Sequence, residues 1–229
     1  MTLMRLLTQF VYPAHCMQCG CWIEAHRPML CEGCSPLIEL LEPGGRCPSC
    51  FSSTKWHLQG CGGAISKIAA ACEHESVAAT IVFGLKYGRK PFLASGAGSI
   101  LYLQYLRLGW ERPDYIVPVP SSKAHLIMRG YNQALLLAQE LSKLTCIPVA
   151  ELLVGPTFSS PQTGFSREER LALEEETVQL ALSGISLAGK HLLLIDDVVT
   201  TGRTLEICAS RLKNAGAATI SALTFTLSE

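Results

Sequence analysis

The chain has 229 residues, of which 48% are apolar and 17% charged, a globular composition on a chain long enough to bury a core. Nineteen Lys and Arg balance nineteen Asp and Glu, so no bulk charge draws the molecule to nucleic acid or to an anionic membrane, and any such partner needs a local patch. No apolar run reaches the roughly 20 residues of a bilayer span, and the longest, Phe92 to Leu108, is broken by Ser95, Ser99, Gln104 and Arg107.

The first segment reads as an amphipathic helix with Leu3, Leu6, Leu7 and Phe10 on one face. Thr8 and Gln9 interrupt its apolar stretch and no small-x-small cleavage site follows, so the expected location is cytoplasmic. Nine of the 11 cysteines then fall between Cys16 and Cys72. Residues 1–64 are rich in Cys, Gly and Pro with little hydrophobic periodicity, and form one expected domain that needs a staple. Residues 65–229 form a second. There an extended stretch near Ile65–Cys72 precedes a helix over Pro91–Leu108 and a strand over Tyr115–Val119. A helix over Asn132–Leu144 and a strand over Val149–Val154 follow. A Gly/Pro/Ser/Thr loop (Gly155–Ser166) leads into a short charged helix over Arg167–Glu176. The chain closes with a strand His191–Ile195, a helix Gly202–Ala215 and a strand Thr219–Thr226. Strands alternating with helices predict an α/β fold with a doubly wound, mostly parallel sheet.

In the cysteine segment, Cys16-x2-Cys19 and Cys31-x2-Cys34 each place two thiolates on one side of a tight turn, and together they offer a four-cysteine metal site. In a reducing compartment this reads as zinc rather than disulfides. With four protein ligands the ion is structural, because no open position remains. Cys47, Cys50 and Cys61 supply three ligands of a second site, with His57 the nearest fourth. Cys72 and His74 are more distant alternatives, and Cys21 competes for either site. One or two zinc ions are therefore expected.

The most informative stretch is HLLLIDDVVTTGRT, residues 191–204. An apolar strand ends in Asp196 and Asp197, and a small loop from Val199 through Thr200, Thr201 and Gly202 opens a helix at Arg203 and Thr204. Ligands of parallel sheets bind beyond the carboxyl ends of strands, and backbone N–H groups at a helix start cradle anions. Two carboxylates beside such a cradle fit the hydroxyls of a sugar whose phosphate sits in the loop, or a Mg2+ nearby. Lys123 and Arg129 flank a loop after the Tyr115–Val119 strand, where cations could hold a pyrophosphate. The polar loop Thr157–Arg170 is a candidate cover that excludes water.

The 191–204 stretch resembles the phosphoribosyl pyrophosphate (PRPP) motif of type I phosphoribosyltransferases. The resemblance implies that Asp196 and Asp197 contact the ribose hydroxyls and that Thr200 to Thr204 bind the 5′-phosphate. Further segments narrow it. Val117-Pro-Val-Pro120 followed by Arg129-Gly-Tyr-Asn-Gln133, then Ser160-Pro-Gln-Thr-Gly164 with Ser166-Arg-Glu-Glu-Arg170, and Leu85-Lys-Tyr-Gly88, are similar to the signatures of the ComF family. A Cys-rich ribbon ahead of a phosphoribosyltransferase domain is that family's architecture. The last cysteine pair departs from it, with Ala64 where a Cys is expected. Membership implies Mg2+-assisted displacement of pyrophosphate from PRPP by an acceptor the sequence does not name. It also implies a role in natural competence, with single-stranded DNA and competence proteins as partners. The rival expectation is a non-catalytic protein that senses PRPP or binds single-stranded DNA, with Lys55, Trp56, His57 and Lys67 as a small basic and aromatic patch. The acceptor pocket is expected in a hood built from residues 65–90 and the ribbon.

Overall fold

The computed structural model describes residues 15–23, 29–47, 49–53, 63–156 and 178–228. In chain order its elements are β1 (Lys67–Glu73), α1 (Ser76–Lys86), α2 (Leu93–Leu108), β2 (Tyr115–Pro118), α3 (Lys123–Arg129), α4 (Gln133–Thr145), β3 (Leu153–Val154), β4 (Gln179–Leu180), β5 (His191–Val199), α5 (Arg203–Asn214) and β6 (Thr219–Leu227). The main sheet has the order β1-β6-β5-β2, and every neighbouring pair is parallel. Leu192, Leu193, Leu194 and Ile195 are all buried, as are eight consecutive residues of β6 from Ile220. Consecutive burial means that both faces of these strands are covered, which is the reason they read as apolar runs without alternation. Helices α2 and α4 pack on each other and on the sheet, while α5 packs against β5 and β6.

Several expectations change. The strand expected to stop at Ile195 continues to Val199. The reason lies in its two edges. Pairing with β2 ends at Pro118 opposite Ile195, but pairing with β6 runs on through Val199 opposite Leu227. The strand expected over Val149–Val154 reduces to the two residues of β3, paired antiparallel with β4 in a separate ribbon, plus a single bridge from Val149 to Ile116. The segment Lys123–Arg129 is a helix, not a loop: the Ser122 hydroxyl accepts from the His125 N–H, and Gly130 at φ 84° ends it. Helix α1 was not anticipated, although Val77, Ala78, Ile81, Val82 and Leu85 bury one face at helical spacing. Residues 67–73, assigned to a hood, are a strand of the main sheet. The first helix and the expected Arg167–Glu176 helix lie outside the described residues.

The cysteine segment folds around a repeated reversal. Single antiparallel bridges, His15 to Trp22 and Arg46 to Ser53, close the two copies. Cys16 N–H donates to the Cys21 carbonyl at 2.8 Å, as Cys47 N–H does to Ser52 at 3.0 Å. Gly20 N–H returns to the Cys16 carbonyl at 2.9 Å, as Phe51 N–H does to Cys47 at 2.8 Å. The residue four beyond the first cysteine is left-handed in both, φ 73° at Gly20 and 61° at Phe51. The segment is fastened to the sheet by Leu41, whose N–H donates to the Ala71 carbonyl at 2.8 Å. The fully buried amide of Gln104 on α2 donates to the carbonyls of Leu41 and Ala70, at 2.8 and 3.0 Å. Arg46 pairs with Glu73 at 2.6 Å and lies over the Phe51 ring, 5.3 Å from its centroid.

Candidate functional site

Because β2 stops at Pro118, residues 196–199 of β5 have a sheet partner on one side only, and their other side opens toward the loop after β2. The acidic pair therefore lies within the strand, at its half-open end. Successive side chains of a strand point to opposite faces. Asp197 is 5% exposed, and its Oδ1 lies 3.1 Å from the ammonium of Lys86 at the end of α1. Its Oδ2 is buried and has no hydrogen-bond partner among the described residues. Asp196 is half-buried and accepts the Asp197 N–H at 2.8 Å. Burial, then the charge of Asp197, push its carboxyl up to about 8, while Lys86 acts in the opposite direction. The same Asp196 charge, after burial, raises the Cys208 thiol on α5 to about 12. Asp197 is thus enclosed, with Oδ1 paired to Lys86 and Oδ2 left without a partner among the described residues.

Beyond Val199 the chain turns through Thr200 and Thr201, both exposed, to Gly202. Gly202 caps α5 at φ 73°, a left-handed conformation that a side chain with a Cβ resists. The first intrahelical bond is Glu206 N–H to the Gly202 carbonyl at 3.0 Å, so the N–H groups before Glu206 have no helical acceptor. One of them, Arg203 N–H, reaches the Thr201 hydroxyl at 3.4 Å. This is the geometry of a helix-start anion cradle at the carboxyl end of a parallel strand.

The segment 129–133 positions the neighbouring loop. Asn132 caps α4, its Oδ1 accepting the Ala134 N–H at 3.0 Å and the Ser121 hydroxyl at 3.1 Å. Its Nδ2 donates to the Val119 carbonyl at 2.9 Å, so one side chain pins the exit of β2 to a helix start. The Tyr131 hydroxyl donates to the Leu85 carbonyl at 2.9 Å and ties the end of α1 to the same corner. The Arg129 guanidinium lies 5.4 Å from the centroid of the Tyr87 ring, and its Nε is buried with no hydrogen-bond partner among the described residues. Burial, then the charges of Arg129 and Lys86, lower the His125 pKa. The structure thus gathers Lys86, Arg129 and Asp197 around one corner, with Lys123 exposed at the far end of α3. Lys86 is not among the expected site residues, although it stands in the Leu85–Gly88 segment and pairs with Asp197. A cavity of about 390 Å3 opens here, lined by His74, Phe83, Lys86, Tyr87, Thr200 and Ser228 among others. Phe83 and Tyr87 are exposed aromatic neighbours, ring centroids 5.2 Å apart.

A second cluster lies in the cysteine segment. The sulfurs of Cys16, Cys19, Cys21 and Cys31 all fall within 4.8 Å of one another. Cys19 and Cys31 are 3.7 Å apart, close to the edge of about 3.8 Å that a tetrahedron with 2.3 Å Zn–S bonds requires. The cluster could hold a metal ion. Burial opposes the Cys16 thiolate, but the N–H groups of Cys19, Cys31 and Gln18 outweigh it and bring its pKa to about 6. Cys34, expected as the fourth ligand, is buried against the thiols of Cys31, Cys19 and Cys16 but lies outside that mutually close set, where Cys21 stands instead. Cys47 is buried, and the Cys50 sulfur lies 3.0 Å from the Ser52 hydroxyl. Their expected companions His57 and Cys61 lie outside the described residues, as do Lys55, Trp56 and the Thr157–Arg170 loop.

No helix among the described residues is long and apolar enough to cross a membrane. Residues 132–227 match the phosphoribosyl transferase domain model. The DNA utilization protein YhgH of Escherichia coli O157:H7 is 30% identical over 186 residues, covering 76% of this chain and 80% of the relative. Competence protein F of Haemophilus influenzae is 26% identical over 216 residues, covering 88% of this chain and 91% of its own. Competence protein ComFC of Bacillus subtilis is 36% identical over 110 residues, 48% of this chain and 42% of its own. The half-open strand end, the helix-start loop and these relatives agree, and the chain belongs to the ComF family, with a type I phosphoribosyltransferase fold behind a cysteine-rich segment.

Proposed function

We propose that the chain binds PRPP at the carboxyl end of β5 and transfers its phosphoribosyl group to an acceptor. The observation that carries this reading is the buried Asp197 Oδ2, unpartnered among the described residues, beside a helix-start cradle. A buried acceptor atom without a donor is costly, and a sugar hydroxyl would satisfy it. In this reading Asp197 and Asp196 take the ribose hydroxyls, and the N–H groups and hydroxyls from Thr200 to Thr204 take the 5′-phosphate. Arg129, with Lys123 at the other end of α3, holds the pyrophosphate. In the reaction the bond from C1 to the pyrophosphate oxygen breaks as the acceptor's bond to C1 forms, and the acceptor releases a proton. The ribose gains cationic character, which the Asp197 carboxylate beside it favours. Mg2+, carried on the pyrophosphate, would neutralise its charge as it leaves. The division into residues 1–64 and 65–229 accompanies this reading, with structural zinc in the first part and a second zinc at Cys47, Cys50, His57 and Cys61.

Relatives bear the names competence protein and DNA utilization protein, and we extend that link to natural competence to this chain. Calorimetry with PRPP and Mg2+ tests the site. Asp196→Asn combined with Asp197→Asn is expected to abolish binding, and unchanged affinity would remove the sugar from this position. A pyrophosphate-release assay across candidate acceptors separates the enzyme from a protein that only senses PRPP or binds single-stranded DNA, since a sensor leaves PRPP intact.

A further inference from the structure

Cys16, Cys19 and Cys31 have two candidates for a fourth sulfur. Cys21 is one, and the four sulfurs of that set lie within 4.8 Å of one another. Cys34 is the other: it is buried, and its N–H returns to the Cys31 carbonyl at 3.1 Å, closing the Cys-x2-Cys turn that brings two thiols to one side. The repeated reversal explains why Cys21 is there. In the second copy the residue matching Cys21 is Ser52, and its hydroxyl lies 3.0 Å from the sulfur of Cys50, the second cysteine of that turn. The backbone of this reversal thus returns the side chain five residues after the first cysteine to the side of the second one. Around Cys47 that side chain is a hydroxyl, and around Cys16 it is a fifth thiol.

Three sulfurs form one face of a tetrahedron, and a zinc ion sits off their plane toward its fourth ligand. We propose that Cys21 and Cys34 are interchangeable fourth ligands of one zinc ion held by Cys16, Cys19 and Cys31. The proposal rests on the zinc reading given above. Exchange is balanced: the entering thiol gives up its proton, and the leaving thiolate takes one up. When Cys34, 7% exposed, is the ligand, the exposed Cys21 is left as an accessible thiol beside a loaded site. When Cys21 is the ligand, the spare thiol is buried.

The test uses the full chain loaded with Co2+ or Zn2+, as the parent protein, Cys21→Ser, Cys34→Ser and the double variant. Each single variant is expected to keep one metal per chain and the absorption of a cobalt tetrathiolate. The double variant is expected to lose that spectrum. It should also lose more zinc affinity than the roughly 10–100-fold that loss of a mere supporting group costs. A tetrathiolate lost in Cys34→Ser alone, or in Cys21→Ser alone, assigns one fixed ligand and overturns the proposal. A parent protein that takes up neither metal overturns the zinc reading itself. Alkylation of the zinc-loaded parent with peptide mapping gives a readout that needs no variant. Cys21 is expected to be modified without release of zinc while Cys16, Cys19 and Cys31 stay protected; protection of all five thiols, or ejection of zinc on modification, overturns exchange.

Discussion

Lys86 brings its ammonium to the enclosed carboxylate of Asp197, with side chains 26% and 7% exposed. Removing one partner of such a pair leaves a charge without compensation, at a cost toward the low end of about 3–5 kcal/mol for this partly wet pair. Lys86→Met is therefore expected to lower the thermal midpoint and to weaken PRPP binding about tenfold or more, with Lys86→Arg recovering part of both. Calorimetry and thermal denaturation on the three proteins decide it, and a Met variant with parental affinity would show that Lys86 does not prepare the site. Asp196 makes a second prediction. Its carboxyl is raised to about 8 by burial and by Asp197, whereas the unfolded chain releases that proton near pH 4. Between those values the folded state holds the extra proton, so ligand-free stability falls as pH rises through the window. Asp196→Asn has no proton to lose. Its thermal midpoint is expected to exceed the parent's near pH 8, with the gap narrowing toward pH 5. A parallel pair of pH curves would contradict the raised value.

Among the elements, α4 begins where the site needs a fixed corner. Asn132 both caps the helix and holds the Val119 carbonyl. Asn132→Ala is expected to cost about 1 kcal/mol from the cap alone, and more as the exit of β2 loosens. Asn132→Asp keeps the cap but loses the donor to Val119, so urea denaturation of both variants separates the two contributions. The same region shows what could be read in advance. Strands β5 and β6 were legible because burial on both faces leaves uninterrupted apolar runs. Helix α4, expected over Asn132–Leu144, stands over Gln133–Thr145, and the structure adds Asn132 as its cap. Helix α3 was not, since Lys123 and Arg129 suggested a solvated loop and none of its residues is buried. The strand end was placed short at Ile195 because a strand's length depends on how far its neighbours run, and β2 and β6 stop at different heights. Lys86 stood in a quoted motif, but nothing local shows that a side chain on α1 meets a carboxylate on β5. Cys21 was noticed as a competitor, and its place beside Cys16, Cys19 and Cys31 became visible only with the backbone of the reversal.

At the scale of the molecule, the described cysteine segment shares an apolar core with the α/β part and meets it through polar contacts that include Gln104 with Leu41, Arg46 with Glu73, Arg107 with Glu42 and Thr80 with Gln18. For the zinc-loaded protein proposed above, a chelator is expected to raise hydrogen exchange at Cys16, Gly20 and Cys34 while β5 and β6 stay protected. Loss of protection in the sheet as well would mean that the two parts unfold as one. The order of strands carries a further consequence, for synthesis. Strand β1 is an edge strand, and its sheet partner is β6, the strand latest in the chain. On a ribosome adding about 5–20 residues each second, Lys67–Glu73 emerges on the order of ten seconds before Thr219–Leu227 exists. Throughout that interval its apolar alanines and Cys72 have no neighbouring strand, and the cysteine segment leans on a strand not yet seated. The nascent chain therefore passes through a stage in which its early half is made but unanchored, a window in which thiols such as Cys72 stand open before the fold encloses them.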